Sequence, residues 1–102
     1  MELNQLKCFL EVARLEHITQ AAEQLHITQP ALSKVIARLE DDLGVKLFDR
    51  EGKNIRLNEY GRVALRYAQR IMYTIGDLQA ELEELSTGQA GHLRIGSSFP
   101  AG

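Results

Sequence analysis

The stretch Thr28–Gly44, TQPALSKVIARLEDDLG, decides how the rest of the chain is read, because it carries a full set of helix signals and leaves one face polar. Thr28 can cap a helix by accepting an amide hydrogen bond, and Pro30 falls in the first turn, where a missing N–H costs little. Ile27 and Leu32 stand at the N′ and N4 positions of a hydrophobic staple. Gly44 follows Leu43 as a residue able to turn left-handed and end the helix. Leu32, Val35, Ile36, Leu39 and Leu43 recur at helical spacing and form the expected buried stripe. The N-terminal part of the other face holds Gln29, Pro30, Ser33, Lys34, Ala37 and Arg38. It is net positive, with short side chains between its donors, so a backbone could approach it closely. Taken alone, the segment also fits a plain solvated surface helix.

The 102 residues, 44% hydrophobic and 25% charged, describe one small domain with an appended element. The apolar runs are short and interrupted, and MELNQLK lacks the basic-then-apolar order of a signal peptide, so no membrane partner is expected and cytoplasmic residence is the default. A lone Cys8 forms no internal disulfide, and Cys8 with His17, His26 and His92 gives no zinc spacing. Neither an enclosed pair of titratable residues nor a phosphate loop is present, so no catalytic residue, metal or cofactor is expected. The net charge of −2 argues weakly against a nucleic-acid partner, but its distribution matters more than its sum. Lys34, Arg38, Lys46, Arg50, Lys53 and Arg56 fall between Thr28 and Arg56, whereas Glu40, Asp41 and Asp42 crowd the far end of the helix. Acids there oppose the helix dipole, and the sequence offers no stabilising reason for them.

Working outward, a first helix is expected over about Leu3–Arg14, with Leu6, Phe9, Leu10 and Ala13 on its core face. An internal echo follows: His17-Ile18-Thr19-Gln20-Ala21-Ala22 is repeated as His26-Ile27-Thr28-Gln29-Pro30-Ala31. Each threonine is placed as an N-cap, so the echo marks two successive helix starts. The second helix is expected over about Gln20–Leu25, facing inward with Ala21, Ala22 and Leu25, and both histidines are read as loop residues. Together these segments predict a helix-turn-helix, the motif that lays its second helix in the DNA major groove.

After Gly44 the period becomes strand-like: Val45, Leu47 and Phe48, a polar turn Glu51-Gly52-Lys53-Asn54, then Ile55-Arg56-Leu57. A hairpin with Lys53 at its tip and Arg50 and Arg56 on its arms reads as a wing that tracks phosphates or reaches a minor groove. A purely structural hairpin closing the core through Phe48 is compatible with the same residues. Asn58 can cap a long helix to about Ser86, in which Gly61, Ala64, Ala68, Ile71, Ile75, Leu78, Leu82 and Leu85 form a heptad seam. Small residues come first and large ones later, which predicts packing on its own domain and then on a partner chain. Thr87–Gly91 reads as a linker, and His92–Gly96 as a first strand with nothing left to pair against.

LNQLKCFLEVARLEHITQAAEQLHITQPALSKVIARLEDDLGVKLFDR, RLNEYG and GHLRIG together resemble the N-terminal region of LysR-type transcriptional regulators over nearly the whole chain. The resemblance implies a mainly α fold: a winged helix-turn-helix of three helices and a two-stranded wing over 1–58, a dimerisation helix over 59–87, and a hinge with the truncated first strand of an effector-binding domain over 88–102. It implies homodimers joined by antiparallel linker helices through Ile71, Ile75, Leu78, Leu82 and Leu85, with a tetramer open to a full-length chain, and binding to interrupted palindromes in promoter DNA. A small-molecule effector would act only through the missing domain. Carried over by position, Gln29, Pro30, Ser33 and Lys34 fall on the base-reading surface, a placement that helical spacing also gives. Thr19, Gln20, Thr28, Arg38, Arg50 and Lys53 fall at or near phosphate-contacting positions. Lys34 stands where many members carry arginine, and an ammonium lacks the planar fork of a guanidinium.

The rival from another class is a protein-docking module, which winged helices and heptad helices can also form. Salt dependence separates the two, because binding that releases counterions weakens with a log–log slope of about −0.9 per neutralised phosphate.

Overall fold

Helices α1 (Leu3–Leu15), α2 (Ile18–Leu25) and α3 (Gln29–Leu43), a hairpin of β1 (Phe48–Glu51) and β2 (Asn54–Leu57), and helix α4 (Glu59–Thr87) follow one another in the computed structural model, which describes residues 1–52 and 54–87. This is the expected mainly helical architecture of three helices, a two-stranded wing and a long fourth helix. Among the described residues, Met1–Gln69 form one compact unit and α4 from Arg70 onward belongs to a second. No helix among the described residues is long and apolar enough to cross a membrane. The hinge and strand expected over 88–102 lie outside the described residues.

The ends of α1, α2 and α3 have local causes. Gln5 Oε1 accepts from the Glu2 amide at 2.8 Å to start α1, and Glu16, left-handed at φ 49°, ends it with its N–H on the Val12 carbonyl. For α2 the expected cap is corrected: His17, not Thr19, is the N-cap, and its Nδ1 accepts from the Gln20 amide at 3.1 Å. An imidazole nitrogen supplies the acceptor that the threonine hydroxyl was expected to provide, so α2 starts at Ile18 and Thr19 lies exposed in its first turn. His26 is more than a loop residue. It takes φ 60° while its N–H bonds Glu23 O and the Ile27 N–H bonds Ala22 O, the paired reverse bonds of a Schellman ending. Thr28 caps α3 as expected, its Oγ1 accepting from the Ala31 amide at 3.2 Å, and Gly44 closes it at φ 78°.

The core joins all these elements. Phe9, Val12, Ala21, Leu32 and Leu39 are fully buried, with Leu6, Cys8, Ile18, Ala22 and Ile36 around them. Leu47, Phe48 and Ile55 bring the hairpin into the same cluster, and the Phe9 and Phe48 rings lie 5.5 Å apart in a tilted pair. Burying each large apolar side chain contributes about 1.5–3 kcal/mol. Leu10 and Ala13, expected on the core face of α1, only flank the cluster, and Val12 and Cys8 lie deeper. At the end of α3, Leu43 is 40% exposed rather than buried, because the stripe leaves the packed region one turn after Leu39.

The acidic end of α3 now has a physical reason. Glu40 Oε2 accepts from the Leu47 amide at 2.8 Å, and its other oxygen lies 3.8 Å from Lys46 Nζ. Asp42 lies 3.2 Å from the Met1 ammonium. Glu40 thus ties the helix end to the approach of the hairpin, which offsets its unfavourable place in the dipole.

The hairpin pairs Phe48 with Leu57 and Glu51 with Asn54. In an antiparallel pair, alternate N–H groups point away from the partner strand. On β2 these are Ile55 and Leu57, and both meet Glu16: its carbonyl accepts from Ile55 N and its Oε2 from Leu57 N, each at 3.4 Å. The hairpin is anchored at its base as well. Asn58 Oδ1 accepts from the Gly61 amide at 2.8 Å, its Nδ2 donates to Lys46 O, and its own N–H donates to Leu47 O. Gly61 is buried in this clasp so tightly that a Cβ would lie 2.1 Å from Leu47 O. Ala68 reaches the core about two turns further along, with Ala64 and Leu65 beside it.

Candidate nucleic-acid interface

Burial of Leu32, Ile36 and Leu39 turns the opposite side of α3 outward. On that side Pro30, Lys34, Ala37 and Arg38 are exposed, and Gln29 and Ser33 are half-buried. Gln29 and Ser33 are one helical turn apart, and Gln29 Nε2 donates to Ser33 Oγ at 2.8 Å. The Thr28 hydroxyl, at the head of this face, is engaged by the Ala31 amide.

Thr19 and Gln20 are exposed in the first turn of α2. Because His17 Nδ1 takes the Gln20 amide, Gln20 offers its side chain rather than its N–H. On the hairpin, Arg50 is exposed, and Arg56 pairs with Glu51 at 3.3 Å. Lys53, expected at the tip, lies outside the described residues. A groove of about 340 Å³ runs between α3 and the hairpin, and it brings Ser33 and Ala37 into one lining with Lys46, Asp49 and Arg50. Among the described residues, Lys34, Arg38 and Arg50 have no carboxylate within ion-pair distance, whereas Lys46 and Arg56 do. The uncommitted cations of this region therefore lie along the outer face of α3 and the arm of the hairpin, despite the net charge of −2.

Ile71, Leu78, Leu82 and Leu85 are 37–59% exposed, and Ile75 is half-buried. Tyr60, Val63 and Tyr67, which the heptad reading passed over, are also exposed, at i, i+3, i+7 spacing. Cys8 is buried, and that burial pushes its thiol pKa up, away from the thiolate that a nucleophile needs.

Three positioning residues escaped the sequence reading. Glu16 holds the outer edge of β2, Glu40 holds Leu47, and His17 caps α2. Only the last had a local signal, as a polar residue immediately before a helix start.

Residues 3–62 match the family model of bacterial regulatory helix-turn-helix proteins, lysR family. The uncharacterized HTH-type transcriptional regulator YybE of Bacillus subtilis is 47% identical over 96 residues, a match covering 94% of this chain and 33% of that protein. The chain spans about a third of the length of several curated relatives it matches. Among solved structures, the DNA-binding domain of CbnR in complex with DNA superposes with a TM-score of 0.76 at 37% identity, covering 79% of this chain and 93% of that one. The DNA-binding domain of BenM bound to catB site 1 DNA gives a TM-score of 0.81 at 29% identity, covering 91% and 100%.

Proposed function

The chain belongs to the lysR family of bacterial regulatory helix-turn-helix proteins, and from that premise we propose that it is the operator-binding and dimer-forming region of a transcription regulator. Residues 1–58 form the DNA-binding domain in this reading, 59–87 the dimerisation helix, and 88–102 the hinge into an effector-binding domain. The observation that carries it is the pairing of a buried α3 stripe with an outward face of Gln29, Pro30, Ser33 and Lys34 on a fold shared with DNA-bound relatives.

That face reads bases in the major groove. Glutamine matches the donor and acceptor of adenine N6 and N7, lysine donates to guanine O6 and N7, and the proline ring suits a thymine methyl group. Thr19, Gln20, Thr28, Arg38, Arg50 and Lys53 contact the sugar-phosphate backbone and fix the register without reading sequence. A second copy covers Ile71, Ile75, Leu78, Leu82 and Leu85, and the resulting dimer binds two half-sites.

Gln29→Ala tests the base-reading assignment. The expected loss is about 1–3 kcal/mol on the selected operator, with relaxed preference at one base pair per half-site. Equal weakening on selected and scrambled duplexes, at fixed salt and with the dimer intact, would reject it.

A further inference from the structure

We propose that Ser33 specifies sequence by holding the Gln29 carboxamide, so that the two side chains read one base pair as a unit and Ser33 is a positioning residue rather than a second reader. This rests on α3 being the base-reading helix.

The argument starts from the 2.8 Å bond from Gln29 Nε2 to Ser33 Oγ. A free glutamine samples many rotamers and presents its amide nitrogen and oxygen in either order, and ordering it on binding weakens affinity. Donation to Ser33 removes much of that freedom in advance. It turns Nε2 toward Ser33 and leaves Oε1 and the second amide N–H for a ligand. One acceptor and one donor from a single planar group are what the major-groove edge of adenine requires.

The surroundings favour this bond over local competitors. Thr28 Oγ1 is already engaged by the Ala31 amide, and Pro30 carries no N–H. Both partners are half-buried, which reduces competition from water, while their neighbours Pro30 and Lys34 are exposed. Ser33 also lines the groove between α3 and the hairpin, a lining that does not include Gln29.

Gln29→Ala, Ser33→Ala and the double variant of the whole chain test the proposal. Binding is measured at fixed salt on the duplex that the unaltered chain selects from a random pool, and on all single-base-pair variants of that duplex. Ser33→Ala is expected to relax preference at the same base pair as Gln29→Ala, by about 2- to 12-fold, the factor that corresponds to ordering one rotamer-rich side chain. Adding Ser33→Ala to Gln29→Ala should change nothing further, because the group it positions is gone. Without DNA, Ser33→Ala should bring the Gln29 side-chain amide protons to the NMR shifts and exchange rates of a free glutamine.

Relaxation at a different base pair, adding in full to that of Gln29→Ala, would make Ser33 an independent reader and overturn the proposal while base reading by α3 stands. No change at any base pair, or an unchanged Gln29 amide signal in Ser33→Ala, would also overturn it. Uniform weakening on every duplex by both variants would remove base reading and the proposal together.

Discussion

Alanine at Gly61 should destabilise the chain, although alanine favours helices. The added Cβ would lie 2.1 Å from Leu47 O and 2.6 Å from Leu57 Cδ2. The leucine side chain can rotate away, but the carbonyl cannot move without the chain that carries it. Restoring an ordinary contact requires roughly 1 Å of separation between the first turn of α4 and the approach to β1. Overpacking of this kind costs about 1–3 kcal/mol, and the Asn58 N–Leu47 O bond it disturbs is worth about 1 kcal/mol more. Against this stands a helix-propensity gain of at most about 1 kcal/mol, so the net loss is about 1–3 kcal/mol. Gly76 in the same helix is the control, because a Cβ there meets nothing within 4 Å. Gly76→Ala should stabilise by about 1 kcal/mol. Urea unfolding followed by helical circular dichroism, at one protein concentration, reads both. A midpoint lowered by about 1 M for Gly61→Ala, for a slope near 2 kcal/mol/M, and raised for Gly76→Ala is the expected pattern. Two variants stabilised alike would refute the close approach of α4 to Leu47.

Glu16→Ala should speed hydrogen exchange at the Leu57 amide while leaving that of Arg56, which points into the hairpin, unchanged; equal rates for Leu57 in both proteins would remove the tether. Arg50→Ala should weaken binding to all DNA alike and lower the salt slope by about one contact, whereas loss confined to one operator would show that Arg50 reads sequence. Asp at Ile75 or Leu82 should yield a folded monomer with weak operator affinity, since an unpartnered charge in a buried seam costs several kcal/mol. Sedimentation of unchanged dimers for both variants would rule out that seam.

Most of the fold was legible because its signals are local. Thr28, Gly44 and Asn58 announce helix ends by their own chemistry, and the spacing of Leu32, Ile36 and Leu39 announces the buried side of α3. Thr19 misled because the echoed HITQ has the same letters twice but caps differently: His17 supplies the acceptor in the first copy, Thr28 in the second. Glu16 and Glu40 were illegible for another reason. Glu16 meets β2 41 residues away, and no periodicity encodes such a contact. Glu40 looked unfavourable because its helix position is visible in sequence while its partner Leu47 lies beyond a turn. On the reading face, spacing placed Gln29 and Ser33 together, but which atom donates to which depends on rotamers that spacing does not determine.

Glu16 and His17 are consecutive, yet they fasten different parts of the molecule: Glu16 the outer edge of the hairpin, His17 the first turn of α2. If both parts grip the sugar-phosphate backbone as proposed, one dipeptide serves as the pivot of a calliper whose jaws are the hairpin and the first turn of α2. The gap between the jaws then determines the groove width the module accepts, which is a property of DNA shape and not of its letters. Substitutions at this pivot would retune the preference for narrow or wide grooves while the base preferences of α3 stay as they are. Two residues that need never touch DNA would thereby contribute to the choice of operator.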